Sequence, residues 1–343
     1  MEQVLSDSQA YAGAPSPQPS VSVVMTVHNH ARYVKESLSS VANSVYPVLE
    51  IIVIDDASKD ESDSIIQQWI REHRDHPITY IRHEQNRGLT KNLNELISLA
   101  RGELIFFNSG DDVILEEGIE KLADYLASNP NKLAVFADCH VIDRDSKQLH
   151  ESGIEGLHRR SGMRKSMLEI DSILRFSIFY HWGVCGPGFM MRKETCSLVG
   201  PYDEELALDD WDMYLRLASI DKLGFYNGYT GQYRLHGKNS IVRHRSRLIR
   251  DAVHVGRKHA HNFGGIPSLR IAGLSALFQY CEAKSRLLKL FYFFESGALL
   301  FISNYIHRAM RLILLLSHKY LIRCPSTQKG RGQLGCTHFK IKK

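Results

Sequence analysis

The stretch Leu104–Asp112, with the sequence LIFFNSGDD, runs from four apolar residues into two adjacent carboxylates. The apolar run predicts a short buried strand, which the polar NSG sequence ends. Two acids at the end of a buried strand repel each other and lose hydration. A divalent cation that prefers oxygen ligands, such as Mg²⁺ or Mn²⁺, relieves both costs. The segment therefore predicts a metal site at Asp111 and Asp112, with a polar turn of solvated carboxylates as the alternative.

Apolar runs of the same kind precede this stretch. Strands are predicted at Val21–Val27, Glu50–Ile54 and Ile78–Ile81, and segments with helical spacing of apolar residues lie between them. This alternation predicts an α/β fold, in which helices cover both faces of a mostly parallel central sheet. In such sheets ligands bind beyond the carboxyl ends of the strands. The polar residues at predicted strand ends are Asn29, Asp55, Asp56, Asp111 and Asp112.

Two helix starts are predicted from capping patterns. Asn29 is predicted to cap the helix after the first strand, and Ser58 with Glu61 forms an S-x-x-E capping box ahead of the second helix. The acids Asp55 and Asp56 therefore have a structural alternative to ligand binding, because carboxylates are favoured near a helix N-terminus.

Several classes of protein are excluded by what the sequence lacks. No G-x-G-x-x-G follows the first strand and no G-x-x-x-x-G-K-[ST] occurs, which argues against a dehydrogenase or a P-loop enzyme. A hydrophobic content of 43% and a charged content of 24% are typical of a soluble globular protein. The six cysteines are scattered without a C-x-x-C pair, so a reducing cytosolic compartment is favoured over a zinc site or a disulfide framework. Residues 1–20 lack a signal-peptide pattern and are predicted to be a disordered leader.

Four segments in order resemble the successive motifs of family 2 glycosyltransferases, which have the GT-A fold. They are VSVVMTVHNHARYVKESLSSV, EIIVIDDASKD, NRGLTKNLNELISLARGELIFF and SGDDVI, and the resemblance runs from about Val21 to Ile241. The chain also departs from the family pattern at four positions. Thr26 stands where proline is frequent, His28 where an aromatic is, Ser109 where an acid is usual and Lys91 where arginine is common.

The resemblance implies roles on the donor side of the site. Asp112 would coordinate the Mg²⁺ or Mn²⁺ that bridges the donor diphosphate, and His236 in the YRLHG segment would approach the metal or the diphosphate. Asp111 would contact the ribose or the shell of the metal. Asp56 would accept a hydrogen bond from a ring N–H of the base. The residues implied for nucleotide-sugar binding are Thr26, His28, Asn29, Asp56, Lys91 and Asp111.

A second acidic cluster, Asp209-Asp210-Trp211-Asp212, resembles the family's E-D-x-D segment, whose second acid is the base of an inverting reaction. That position is Asp210. A positioned carboxylate that removes the proton of the attacking hydroxyl contributes about 10²–10⁴-fold in rate. The alternative is a helix N-terminus that Asp209 caps, with the other acids favoured by the helix dipole.

Three further residues are assigned to the acceptor side together with Asp209. Trp211 is predicted either under a sugar ring or in the core. Gly186 and Gly188 precede an apolar strand, and their small size suits the floor of an acceptor site or a bulged strand that binds nothing.

Beyond residue 250 the resemblance fades. The expected organisation is a GT-A domain at 21–250, a helical extension at 251–323 and a basic, disordered tail at 324–343. From Ser296 onward the chain has nine Lys or Arg and no Asp or Glu, and its longest charge-free run is shorter than the about 20 residues that span a bilayer. The extension is predicted to lie as amphipathic helices on an anionic membrane surface, with packing on the catalytic domain or at a dimer interface as the alternative.

These patterns predict a metal-dependent inverting glycosyltransferase. It would move a sugar from a nucleotide donor, with UDP favoured, to a hydroxyl of a growing, lipid-linked glycan, as in O-antigen or other bacterial surface polysaccharide assembly. The expected location is the cytoplasm, at the inner face of the cell membrane, with homo-oligomers allowed. Nucleic acid is not an expected partner because no aromatic-and-basic module is present. The rival hypotheses are a sugar-1-phosphate nucleotidyltransferase, which should carry a glycine-rich basic loop after the first strand, and a non-catalytic nucleotide-binding or membrane scaffold protein.

Overall fold

One mixed sheet, covered by helices on both faces, forms the centre of the molecule. The computed structural model describes residues 18–157, 164–180, 187–206, 209–237, 239 and 245–262. Within these residues the sheet has nine strands. They are β1 (Val21–Val27), β2 (Glu50–Asp55), β3 (Ile78–Arg82), β4 (Leu104–Ser109), β5 (Val113–Ile114), β6 (Ala134–Asp143), β7 (Gln148–His150), β8 (Phe189–Arg192) and β9 (Leu223–Leu235).

Helices alternate with the strands along the first half of the chain, which confirms the predicted α/β fold. Short 3₁₀ helices occur at Lys165–Met167 and Ala260–Asn262. The α-helices of the described residues are α1 (Val34–Ala42), α2 (Ser62–Glu72), α3 (Leu89–Leu99), α4 (Gly118–Ser128), α5 (Gly153–Leu157), α6 (Asp171–Tyr180), α7 (Thr195–Val199), α8 (Asp209–Ser219) and α9 (Arg245–His259).

The order of the strands places a ligand-binding crevice at β1 and β4. The sheet runs β3-β2-β1-β4-β8-β6-β9-β5, and β7 pairs with β6. The first four strands in this order are parallel, whereas β8 lies antiparallel to both β4 and β6. The chain moves outward from β1 through β2 to β3 and then returns to β4 on the other side of β1. The carboxyl ends of β1 and β4 therefore form a topological switch point, where open α/β sheets bind their ligands.

Alternating side chains of the strands divide the core into two layers. Val24 of β1 packs with apolar residues of α3, α6, α8 and α9, whereas Val23 and Met25 pack with α1, α2 and α4 on the opposite face. This follows from the period of two in a strand, which sends successive side chains to opposite faces. Both layers are closed to water, so the sheet is rigid and its strand ends are held in fixed relative positions.

Neither predicted helix cap is present. The helix α1 begins at Val34, and Asn29 instead has a φ of 60° and accepts a hydrogen bond from Lys59 N at 2.8 Å. No side-chain hydrogen bond caps α2 at Glu61, so the predicted capping box is wrong. Asp60 takes this role, because its Oδ1 accepts the N–H of Ser62 at 3.0 Å. Asn29 and Ser58, which the local pattern assigned to helix caps, instead form hydrogen bonds within the turns that follow β1 and β2.

Several predicted segments fall wholly or partly outside the described residues. Residues 1–17 of the predicted leader, residues 263–323 of the helical extension and the basic tail lie outside them. The predicted boundary at residue 250 falls within α9, which is continuous from Arg245 to His259 and packs on α8. In the part of the chain that the structure describes, no helix combines the length and apolar character needed to cross a membrane.

Candidate active site

The acid pair lies at the carboxyl end of β4 and is buried. Asp112 is 2% exposed, and its Oδ1 accepts the backbone N–H of Arg234 at 2.9 Å. This contact arises because β5, which follows Asp112 directly, pairs with the end of β9. Burial raises the pKa of Asp112 well above its usual value, and the neighbouring charge of Asp111 raises it further. The predicted pair of adjacent carboxyl groups is therefore present and buried at this strand end.

Two imidazoles face the other acid of the pair. His236 Nε2 lies 2.8 Å from Asp111 Oδ2, and His30 Nδ1 lies 3.8 Å from Asp111 Oδ1. Ser109 also donates its hydroxyl to Asp111 Oδ1. Burial favours the neutral acid, but the interactions with His30 and His236 outweigh it and hold the pKa of Asp111 below its usual range. Asp111, Asp112 and His236 thus lie at one edge of the sheet, as the sequence predicts, and His236 is bound to Asp111.

Arg234 organises this acid pair and was missed by the sequence analysis. Its side chain has no exposed surface, and Nε donates to the carbonyl oxygen of Asp111 at 2.8 Å. Its NH2 donates to Glu36 Oε2 at 2.7 Å, and the guanidinium lies 4.7 Å from the centre of the Tyr33 ring. The only sequence signal was its place two residues before His236 in the YRLHG segment.

The residues at this edge fit a divalent cation of the kind that the family resemblance implies. Asp111 and Asp112 supply the carboxylate oxygens that Mg²⁺ and Mn²⁺ prefer, and His236 lies beside them. Among the described residues, no group of three or more His, Cys, Asp or Glu side chains is already arranged as a metal cage. Mg²⁺ is commonly held by only one or two carboxylates together with substrate phosphates and water, so a cage made by protein alone is not required.

Asp56 lies at the end of β2 and is committed to the loop that precedes α3. Its carboxylate accepts the backbone N–H groups of Arg87 at 2.7 Å and Gly88 at 3.0 Å, and His83 Nδ1 lies 3.3 Å from Oδ1. Burial alone would raise the pKa of Asp56, but these hydrogen bonds outweigh it and lower the pKa. The predicted contact of Asp56 with a base remains a prediction, since the carboxylate is already bonded to backbone and side-chain donors.

A cleft of about 670 Å³ opens beside Asp56 at the carboxyl ends of β2 and β3. His28 lies on one side of it, where Nδ1 donates to the carbonyl oxygen of Asp56 at 2.8 Å and Nε2 contacts Asn29 Nδ2 at 2.8 Å. Ala57 has a φ of 56°, a left-handed conformation that is unfavourable for a residue with a Cβ. The lining residues are His28, Ala57, Ser58, Lys59, Arg82, His83, Glu84, Gln85 and Asn86.

Two further residues of the predicted nucleotide pocket, Thr26 and Lys91, lie outside the cleft lining. Thr26 is in β1, directly across from Ser109 of β4, and its carbonyl oxygen accepts the N–H of Gly110 at 2.9 Å. Lys91 is exposed on α3, one turn beyond Gly88. Both are near the strand ends that carry the acids, and their contact with a nucleotide sugar stays a prediction.

The predicted base, Asp210, is in the first turn of α8 and is half-buried. Asp209 begins this helix. The position of the helix is fixed by Asp212, whose Oδ1 lies 2.8 Å from His259 Nε2 and 3.1 Å from Lys258 Nζ. Although burial disfavours its charge, these contacts and Arg216 lower the pKa of Asp212 to about 2. The first turn of α8 is therefore anchored to α9 by a charged network that the sequence analysis did not identify.

Two of the residues assigned to the acceptor side have structural roles. Trp211 has no exposed surface and donates from Nε1 to the carbonyl oxygen of Ile178 at 2.8 Å, so the structure places it in the core and not under a sugar ring. A Cβ on Gly188 would lie 3.1 Å from both Ala137 O and Thr230 Oγ1, so close packing between β6 and β9 accounts for this glycine. Gly186 lies outside the described residues.

Comparison with known proteins gives consistent matches across this part of the chain. The model of glycosyl transferase family 2 matches residues 22–196. The putative glycosyltransferase EpsE of Bacillus subtilis is 32% identical over 231 residues, which cover 66% of this chain and 77% of EpsE. Chondroitin synthase of Escherichia coli is 22% identical over 226 residues, which cover 66% of this chain and 30% of the synthase.

Two solved structures have the same fold at low sequence identity. The mannosyltransferase PcManGT from Pyrobaculum calidifontis, in complex with GDP-Man and Mn²⁺, matches with a TM-score of 0.57 at 17% identity, over 91% of this chain and 89% of that one. Residues 1–349 of TarS from S. aureus, in complex with UDP-GlcNAc, match with a TM-score of 0.55 at 17% identity, over 79% and 75% of the two chains. The family match over half of the chain, together with the relationship to EpsE, shows that this protein belongs to glycosyltransferase family 2 and is a glycosyltransferase with the GT-A fold.

Proposed function

We propose that this glycosyltransferase is metal-dependent and inverting, and that it transfers a sugar from a UDP-linked donor to a hydroxyl of a growing, lipid-linked glycan. The observation that carries the proposal is the meeting of Asp111, Asp112 and His236 at the carboxyl end of β4. Two adjacent buried acids are costly in a protein unless a cation offsets their charge. The topological switch point beside them is where the fold binds ligands.

The donor diphosphate is proposed to bind at this edge, with its nucleoside in the cleft beside Asp56. The cleft begins at His28 and the diphosphate site at His30, so one short loop after β1 contacts both parts of the donor. Mn²⁺ or Mg²⁺ bound there would act as a Lewis acid toward the leaving diphosphate. Arg234 holds the carbonyl oxygen of Asp111 and, through its backbone N–H, the carboxylate of Asp112, which keeps both acids oriented toward the site.

Asp210 is proposed to be the general base for the acceptor hydroxyl. It lies at the N-terminal turn of a helix that the Asp212 network holds in place. An ionised carboxylate is favoured at that end of a helix, so the group is ready to accept a proton. Direct displacement at the anomeric carbon then requires only that the acceptor oxygen and the leaving diphosphate lie on opposite faces of the sugar.

The nature of donor and acceptor is proposed by likeness to relatives. One structural neighbour binds UDP-GlcNAc and another binds GDP-Man with Mn²⁺, so uridine and guanosine donors are the first to test. A glycan acceptor follows the example of chondroitin synthase, and a role in surface polysaccharide assembly remains the leading expectation. Peripheral attachment to the inner face of the cell membrane is proposed from the basic, apolar sequence after Ser296.

A screen of nucleotide sugars tests the proposal directly. The protein is incubated with UDP- and GDP-sugars in Mn²⁺, in Mg²⁺ and in EDTA, and release of the nucleoside diphosphate is measured. We expect release from one donor class in the presence of metal, loss of release in EDTA, and inversion at the anomeric carbon when an acceptor is added. Release that is equal in EDTA and Mn²⁺, or transfer with retention, contradicts the proposal. Full turnover by Asp210→Asn removes the role given to that residue.

A further inference from the structure

His30 lies beside the acid pair at the carboxyl end of β4, 3.8 Å from Asp111. It lies in the loop between β1 and α1, and its backbone N–H donates to Ser62 Oγ at 2.9 Å, which fixes the loop. A Cβ on Gly110 would lie 3.0 Å from His30 Nδ1, so the ring packs directly on the turn that carries the acid pair. The loop is therefore fixed by Ser62, and the imidazole lies against the Gly110 turn.

Among the described residues, His30 Nδ1 has no hydrogen-bond partner, and this nitrogen is buried. The nearest acid, Asp111 Oδ1, lies at 3.8 Å, beyond hydrogen-bond distance, and already accepts the hydroxyl of Ser109. A buried polar atom without a partner is rare in folded proteins and costs free energy, so it indicates a group that is supplied from outside. An acceptor facing Nδ1 also favours the tautomer with the proton on that nitrogen.

We propose that His30 Nδ1–H donates a hydrogen bond to a phosphate oxygen of the donor's diphosphate. The inference rests on the proposed function. It adds a direct protein contact to the diphosphate, in addition to the cation that the acid pair would hold. Phosphate oxygens match this donor, because the site lies at the switch point between β1 and β4, and the nucleoside cleft begins at His28, two residues earlier.

His28 and His30 therefore contact different parts of the nucleotide sugar, the nucleoside and the diphosphate respectively. The imidazole of His28 is already bonded on both sides, to the Asp56 carbonyl oxygen and to Asn29, and borders the cleft. The imidazole of His30 borders the acids, and its Nδ1 is left without a hydrogen bond by the part of the chain that the structure describes. Loss of the His28 ring should weaken the binding of nucleoside and of nucleoside diphosphate equally. Loss of the His30 ring should weaken the binding of the nucleoside diphosphate alone.

The test compares dissociation constants for UDP and uridine, and for GDP and guanosine, by ligand-observed NMR in the presence of Mn²⁺. His30→Leu removes the donor at similar volume, and His30→Asn restores an N–H near the position of Nδ1. His28→Leu provides the matched comparison, and His254→Gln on the exposed surface of α9 serves as the inert control. Thermal melting of every variant verifies that it is folded.

We expect His30→Leu to weaken the diphosphate about ten- to a hundredfold, the loss of one hydrogen bond to a charged acceptor, and to leave nucleoside binding unchanged. His30→Asn should recover most of the loss. Unchanged diphosphate affinity in His30→Leu, an equal loss for the nucleoside, or no recovery in a folded His30→Asn overturns the inference while the proposed function stands. If the wild-type protein binds neither diphosphate, the proposed function itself is overturned, and this inference with it.

Discussion

The sheet carries two Asp-Asp pairs, one at the end of β2 and one after β4, and the protein uses them differently. In the β2 pair, Asp55 Oδ1 accepts the N–H of Ser58 at 2.9 Å, and Asp56 accepts the N–H groups of Arg87 and Gly88. Backbone N–H groups, together with the side chains of Tyr80 and His83, therefore satisfy both carboxylates. The β2 pair holds two loops together, and its charge is stabilised without any ligand.

The β4 pair has fewer fixed partners and stronger repulsion. Asp112 receives one backbone N–H from Arg234, and its pKa is raised by burial and by Asp111. Asp111 faces the imidazoles of His30 and His236. The Asp-Asp dipeptide thus connects loops at the end of β2. After β4 the same dipeptide has carboxyl groups whose charge the surrounding groups offset less completely. The difference teaches that the donors around a pair of acids, and not the acids themselves, distinguish a ligand site from a turn.

The largest expected effect is the loss of transfer activity on substitution of Asp112 in the β4 pair. Asp112→Asn should lower transfer by about 10²–10³-fold or more, because it removes a charged ligand that is needed when the leaving diphosphate gains charge. The same change should leave the free energy of unfolding nearly unchanged, since it removes repulsion within the pair. Initial rates in Mn²⁺ and urea unfolding of the metal-free protein measure the two quantities. An active Asp112→Asn variant would falsify the assignment of the β4 pair.

The β2 pair should give the opposite result in the unfolding measurement. Asp56→Ala leaves two backbone N–H groups of the α3 loop without acceptors, and we expect a loss of about 2–4 kcal/mol in the free energy of unfolding. Asp56→Asn retains one acceptor oxygen and should lose less. If Asp56→Ala proves as stable as the wild type in urea, backbone satisfaction is not the main role of Asp56.

The pH dependence sharpens this contrast. The pKa of Asp56 is lowered in the folded protein, so its charge adds stability above the unfolded value of about 3.9, and this contribution is lost as the pH falls through the folded pKa. The stability difference between wild type and Asp56→Asn should therefore shrink toward zero between about pH 5 and about pH 2. Urea titrations across that range, with Asp75→Asn at a well-exposed position as the control, measure it. A difference that stays constant with pH contradicts the assigned cause.

The smallest expected effect concerns the turns that carry the pairs. The β4 pair is preceded by Gly110, but the β2 pair is followed by Ala57 with a φ of 56°. Ala57→Gly should raise the free energy of unfolding by about 0.5–1 kcal/mol, because the relief of left-handed strain exceeds the entropy cost of glycine. Ala57→Val should lower it, because a β-branched side chain is more strained there. Thermal melting distinguishes these outcomes, and a destabilised Ala57→Gly variant counts against backbone strain at this turn.

Local patterns in the sequence predicted the first four strands, β1 to β4, and the position of both acid pairs. Apolar runs such as Val21–Val27 and LIFF form buried strands. They can be read from the sequence because each is a short apolar run that polar turn residues end. The parallel arrangement then brings their ends to one edge. That His236 joins the acid pair was predicted only from the resemblance to the family, which implied Asp112 and His236 as metal ligands. No local pattern could join these residues, since 125 residues separate Asp111 from His236.

The errors have a common physical cause, which is competition from distant partners. Asn29 was predicted to cap α1, but its side chain accepts the N–H of Lys59, 30 residues away. Arg234 meets Asp112 across 122 residues, and His259 meets Asp212 across 47. Only the pairing of β5 with β9 and the packing of α9 on α8 make these contacts possible. The core position of Trp211 likewise depends on α6, whose Ile178 carbonyl oxygen accepts its N–H.

The central claim is that the acid pair after β4 holds the cation and the pair at β2 does not. Anomalous scattering from crystals grown with Mn²⁺ and UDP or GDP tests it most directly. We predict one manganese peak within bonding distance of a carboxylate oxygen of Asp111 or Asp112, shared with the diphosphate, and none beside Asp55 or Asp56. A peak at the β2 pair, or a bound diphosphate with no manganese at the β4 pair, would contradict the account.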